Sequence, residues 1–137
     1  MNDTVALKIT SLQRCVARAR GAYQRAGTQF RSNFDQQDAA ILNILRASET
    51  AIDLANMLIR SRHLGIPTDS RESFSILQRE GLVSEALTLR LKAMVGFRNL
   101  AVHQYRDLDI EMVEHILAHE LDDLVAFAEQ MRTAIYI

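Results

Sequence analysis

At 137 residues, with 48% apolar and 24% charged side chains, the chain is long enough for one domain with a real core and too apolar to be disordered. A single cysteine, Cys15, excludes an intrachain disulfide and suits a reducing cytosol; no apolar run approaches the ~20 residues needed to cross a bilayer. The net charge of −1 is unevenly spread: residues 1–68 carry nine basic and five acidic groups, residues 69–106 six and four, and residues 107–137 one and eight. Unspecific coating of DNA needs a broad basic face, which this distribution lacks, but a local anion site beside arginine-rich helices is compatible with it. The start, "MNDTVALKIT", has no basic region followed by an apolar core, so a soluble, cytoplasmic protein is expected.

In chain order, the first helical pattern places Val5, Ile9, Leu12, Val16, Ala19 and Tyr23 at steps of three and four, with Arg14, Arg18 and Arg25 on another face. It stops in "RAGTQFRSNF", a polar connector. A second helix is expected from about Asp35, with Asp38 favouring its exposed amides, and apolar at Ile41, Leu42, Leu45, Ser48, Ile52, Ala55 and Ile59. Gly65 and Pro67 mark its end as a C-cap followed by a residue that cannot continue a helix. A short helix is expected from Asp69 or Ser70, with Glu72 as capping partner, to Gly81. Ser84 opens a fourth helix. The last begins near Asp109 and carries Ile110, Val113, Leu117, Leu121, Leu124, Ala128, Met131 and Ile135 for about seven turns. Strand-like alternation and internal repeats are absent from the pattern. The expectation is one all-α domain over 1–137, an up-down bundle of four long helices plus one short helix.

The fourth helix contains an oddity. From Ala93 to His103 every residue is apolar or glycine except Arg98, Asn99 and His103. A helix apolar on nearly every side is normally buried, and buried charged or amide groups need partners. Asn99 and His103, four apart, share a face; Arg98 points about 140° away from His103, though its long side chain can curl back. Gly96 lets another backbone come close. Two readings are open. The polar groups satisfy each other and nearby carboxylates inside one bundle, fixing register; or one side of the helix packs in the bundle and another against a second copy, so that they line a cleft between the two.

Chemistry favours the cleft. Histidine moves protons near neutral pH and arginine grips planar anionic oxygens in a fork. Together they suffice for cleaving RNA without a metal, histidine exchanging the 2′-OH or leaving-group proton and arginine stabilising charge on the phosphoryl group. A two-fold dimer would bring two of each to one cleft, so base and acid need not be the same imidazole. Arg-x4-His alone is a weak signal among 14 arginines and four histidines; Asn after the Arg and Tyr two after the His make it specific.

Arg98-Asn99-Leu100-Ala101-Val102-His103-Gln104-Tyr105 resembles the Arg-x4-His-x-Tyr motif of HepT toxins, HEPN-domain proteins of the MNT–HepT toxin–antitoxin systems. The resemblance extends to "AAILNILRASETAIDLANML", "HLGIPTDSRESFSIL" and "LKAMVGFRNLAVH". It implies an HEPN bundle working as a homodimer and a toxin of a type VII-like system. Arg98 and His103 would form the ribonuclease site, and Asn99 would be the polar residue that follows the Arg. Transfer RNA is the substrate class implied. It further implies that a minimal nucleotidyltransferase (MNT) antitoxin transfers AMP from ATP to Tyr105, which position alone would make a helix-end packing residue. An alternative is a catalytically silent subunit that binds such a nucleotidyltransferase or presents substrate to it; a third is a purely structural helical dimer.

Other residues are read more plainly. Arg46, Glu49, Asp53, Asn56 and Arg60 form a polar stripe on the second helix, taken as i,i+4 surface pairs, with orientation of Arg98 at the cleft as the alternative. His115 and His119 have metal-compatible spacing but lie among carboxylates on a solvated face, and no metal is assigned. His63 suits a helix C-terminus, and Cys15 reads as a buried structural thiol. No Gly-rich phosphate loop is present, so no cofactor is assigned and ATP would be bound by the partner.

Overall fold

In the computed structural model, which describes residues 3–136, the chain is all-helical, with no strand among the described residues. Helix α1 spans Asp3–Ala26, α2 Phe34–Ser61, α3 Ser70–Arg79 and α4 Glu85–His103. Helices α5 (Ile110–His115) and α6 (Leu121–Tyr136) are joined without a break by a π-helical turn, Ile116–Glu120, and act as one rod.

Helix directions follow from side-chain register. Lys8 meets Asp53 and Arg25 meets Gln36, so α1 and α2 are antiparallel. Gln13 bonds Glu129 and Arg20 bonds Asp122, which sets α1 antiparallel to α6. Glu49 and Asp38 of α2 meet Arg98 of α4 and Tyr105 beyond it, so these helices are antiparallel too. The four long elements therefore run up, down, up, down, and α3 is a short strap across them.

Most of the apolar stripes expected for α1 and the last helix are buried, Val5, Ile9, Leu12, Val16 and Ala19 on α1, then Val113, Leu117, Leu121, Leu124, Ala128 and Met131, while Tyr23, Ile110 and Ile135 are partly buried against them. Cys15 is buried beside them. The connector after α1 is less polar than its sequence suggests. It coils into a 3-10 segment, Gly27–Ser32, that drives Phe30 into the core and against Tyr23, ring edge to ring face at 4.9 Å. A second aromatic pair, Phe74 and Phe127 at 5.4 Å, nails α3 to α6. Both pairs have the edge-to-face geometry that ring quadrupoles prefer.

Two helix ends depart from the sequence expectation. Asn33, rather than Asp35, caps α2, its side chain accepting from the Gln36 amide at 3.1 Å. At the other end α2 stops at Ser61, before Gly65. His63 takes the left-handed conformation (φ 55°), and the bonds Leu64 N–H to Ile59 O and His63 N–H to Arg60 O complete a Schellman closure. The short helix behaves as expected. Asp69 accepts from the Glu72 amide at 2.8 Å, Glu72 reaches back to the Thr68 amide at 3.0 Å, and Gly81 (φ 73°) closes the far end.

Candidate functional site

Helix α4 starts at Ser84, whose hydroxyl accepts from the Leu87 amide at 3.2 Å. Leu87, Leu91, Met94, Val95, Phe97 and Ala101 bury one side of it. Part of its apolar surface stays open: Leu89 and, about 140° away around the axis and one turn beyond Arg98, Val102 are exposed, and Leu42 of α2 is exposed as well. The all-round apolar pattern is thus half satisfied within one chain.

Arg98 is the best-held polar group on this helix. Its Nη1 meets Glu49 Oε1 at 2.9 Å and its Nη2 donates to Ser70 Oγ at 3.1 Å, while its side chain is 22% exposed. The Nε is buried without a partner, so the guanidinium retains donor capacity at this place. Asp69, Ser70 and Arg71 of the α3 start, with Val95, Arg98 and Asn99 of α4, line one cleft of about 230 Å³. Three donor side chains, Arg71, Arg98 and Asn99, therefore border one concavity.

Gly96 explains how Arg71 gets there. A Cβ at Gly96 would lie 2.8 Å from the Arg71 guanidinium, so the close approach foreseen at this glycine is made by a side chain and not by another backbone. The polar stripe of α2 also reads differently in three dimensions. Glu49 bonds Arg98, Asp53 bonds Lys8, and Asn56 accepts from Ser73 Oγ at 2.6 Å. These are contacts between helices, not the i,i+4 pairs within α2 that sequence favoured; orientation of Arg98 by this stripe is what the geometry has.

His103 is the last residue of α4 and is exposed, with no hydrogen-bond partner among the described residues. Five residues beyond Arg98, it lies about 7.5 Å further along the axis and does not line the Arg98 cleft. One chain thus brings Arg98 and Asn99 together and leaves His103 outside their cleft. Past His103 the chain turns through a 3-10 segment, Tyr105–Asp107. There the Tyr105 hydroxyl donates to Asp38 Oδ1 of α2. Burial, the Asp38 hydrogen bond and the Asp38 charge, in that order, raise the Tyr105 phenol from its usual 10.0 to about 12. His115 pairs with Glu120 at 3.3 Å, meets the His119 ring at 5.0 Å with the two planes tilted, and lines a separate pocket with Gly96, Phe97 and Leu100 of α4.

Sequence reasoning missed Ser70, Arg71 and the Asp38–Tyr105 contact. The one available signal was Gly96, an interior helix glycine that asks for a close neighbour without naming it.

The family model described as Ribonuclease HepT-like matches residues 12–131. The chain belongs to the HepT-like ribonuclease family. This HepT-like chain is 41% identical over 132 residues to the mRNA nuclease HepT of Shewanella oneidensis, covering 96% of one and 98% of the other. A solved structure of the tri-AMPylated Shewanella oneidensis HEPN toxin in complex with MNT antitoxin matches with a TM-score of 0.91 at 40% identity, over 97% of this chain and 99% of that one. A toxin–antitoxin crystal structure with AMP-PNP matches equally well, with a TM-score of 0.91 at 39% identity over 96% and 99% of the two chains. The HEPN-type bundle expected from the motif is thereby the observed fold.

Proposed function

We propose that this HepT-like chain is the toxin of a type VII-like toxin–antitoxin pair: an endoribonuclease that cuts RNA with Arg98 and His103, assisted by Asn99, and is silenced by AMP transfer to Tyr105 from an MNT antitoxin. The observation that carries this reading is the Arg98 constellation. A guanidinium oriented by Glu49 and Ser70, beside Asn99 and Arg71, faces a cleft sized for a phosphate and its sugar. One and a half turns on, an uncommitted imidazole stands at the helix end.

In the reaction proposed, His103 takes the proton of a ribose 2′-OH while Arg98 and Asn99 stabilise the charge spreading over the phosphoryl oxygens. A second His103 returns a proton to the leaving oxygen. Because His103 lies outside the Arg98 cleft of its own chain, a homodimer about the exposed α4 face would complete the site. Arg71 adds a second cation for the RNA backbone. AMP on Tyr105 would place a phosphodiester and an adenosine two residues from His103, repelling and obstructing the substrate phosphate.

Two substrate classes are in play: the sequence motif implies transfer RNA, whereas the Shewanella relative is named an mRNA nuclease. The test is cleavage of purified tRNA and of a messenger transcript by unmodified protein in EDTA. His103→Ala should lower the rate by about a hundred- to ten-thousand-fold, with helical circular dichroism unchanged. Intact RNA of both classes with the wild-type protein would move the chain to the alternative of a silent subunit. Activity abolished by EDTA would replace the metal-independent mechanism.

A further inference from the structure

The proposed modification leaves one chemical question open: where the Tyr105 proton goes. A phenol that holds its proton up to pH about 12 supplies almost no phenolate at neutral pH. Attack on a nucleotide therefore needs a base in place as the new bond forms. The Tyr105 hydroxyl already donates to a single side chain, Asp38 Oδ1, 67 residues away in sequence.

Asp38 has no competing structural duty. It is the fifth residue of α2, past the first turn, where Asn33 supplies the cap and Asp35 the favourable charge. Apart from Tyr105 no side-chain partner engages it among the described residues. Tyr105, in turn, is 45% exposed, so a nucleotide held by a second protein can reach the oxygen while Asp38 holds the proton from the α2 side.

We infer that Asp38 is the general base of the modification reaction, a catalytic residue contributed by the toxin to its own neutralisation. The inference rests on Tyr105 being the acceptor. As Tyr105 Oη bonds to the α-phosphorus of ATP, its proton passes to Asp38 Oδ1. The bond from the α-phosphorus to its bridging oxygen breaks, and pyrophosphate leaves with the electron pair. Asp38 then releases the proton to solvent. Toxin and antitoxin divide the work: the antitoxin presents the triphosphate, and the toxin activates its own nucleophile.

The experiment is transfer from ATP labelled at the α-phosphate, with the cognate nucleotidyltransferase, to wild-type, Asp38→Asn, Asp38→Glu and Tyr105→Phe chains, followed across pH and by intact mass. Asparagine keeps an acceptor oxygen for the phenol but cannot take its proton. Asp38→Asn should slow the first transfer about a hundred-fold. It should also remove the carboxylate limb of the pH–rate profile, leaving a rate that rises tenfold per pH unit. Asp38→Glu should recover part of the rate and restore the limb. Wild-type rates in Asp38→Asn, or slow rates with an unchanged profile, would overturn the assignment even though Tyr105→Phe accepts no label. Label on Tyr105→Phe would instead sink the acceptor reading itself.

Discussion

Arg98 shows how a half-buried cation is made tolerable and useful at once. Glu49 and Ser70 satisfy part of its fork, and the side chain lines the cleft. The ion pair is half exposed at its Glu49 end, so its worth to stability is small, ~0.2–1 kcal/mol; its effect is on where the guanidinium points. Gly96 separates fold from function in the same way. An interior helix glycine costs about 0.8–1.0 kcal/mol relative to alanine, and the atom a Cβ would meet is the mobile tip of Arg71. Gly96→Ala should therefore leave the melting temperature unchanged or higher while weakening RNA binding, measured by thermal unfolding and fluorescence anisotropy on one sample. A clear drop in melting temperature would contradict it. Tyr105 carries a pH dependence whose sign is fixed by linkage. The folded protein holds the phenolic proton more tightly than the unfolded chain, so this contribution is intact below pH 10 and is lost as pH rises toward about 12. In a tyrosinate absorbance titration, the component missing from Tyr105→Phe should ionise near pH 12, and in Asp38→Asn it should move down; ionisation at the ordinary value would refute the contact.

Element ends are where local chemistry and chain geometry compete. The Gly65–Pro67 signal is real punctuation, yet the last turn of α2 closes two residues earlier, on His63. The reason is that a Schellman closure needs only one left-handed residue at the right register, and histidine can occupy that region at a cost of roughly 1–2 kcal/mol. Replacing His63 by glycine removes that strain and gives back about half of it through the greater freedom of the unfolded chain. Calorimetry of His63→Gly should show a melting temperature ~2–4 °C higher. A decrease would mean that the imidazole makes a contribution beyond its backbone. In the last helix the π turn at Ile116–Glu120 adds a residue to the local spacing, and His115 meets Glu120 five residues on. Both halves of the rod thus keep their apolar stripes on the core. That turn has no signature in the residue pattern, because steps of three and four on either side read as uninterrupted.

At the scale of the whole molecule, the four long helices bury one face of α4 and leave Val102 60% exposed beside His103, with Leu42 46% exposed on α2. If this face joins two copies, Val102→Asp should yield monomers by light scattering and lose RNA cleavage in parallel, with helical content retained. A monomeric wild-type protein that cleaves RNA would exclude the shared site. No helix among the described residues is long and apolar enough to cross a membrane. How much of this was readable beforehand follows from range. Helix existence, the α1 and α5–α6 core stripes, the Ser84 and Asp69 caps and the Arg98–His103–Tyr105 motif were legible in the sequence, because each depends on residues within a turn or two of one another. Tertiary structure alone decided that Glu49 holds Arg98, that Arg71 lies over Gly96, that Phe30 enters the core and that Asp38 receives the Tyr105 hydrogen bond. Those partners lie on different elements, and no local period encodes which side chains antiparallel packing sets opposite one another.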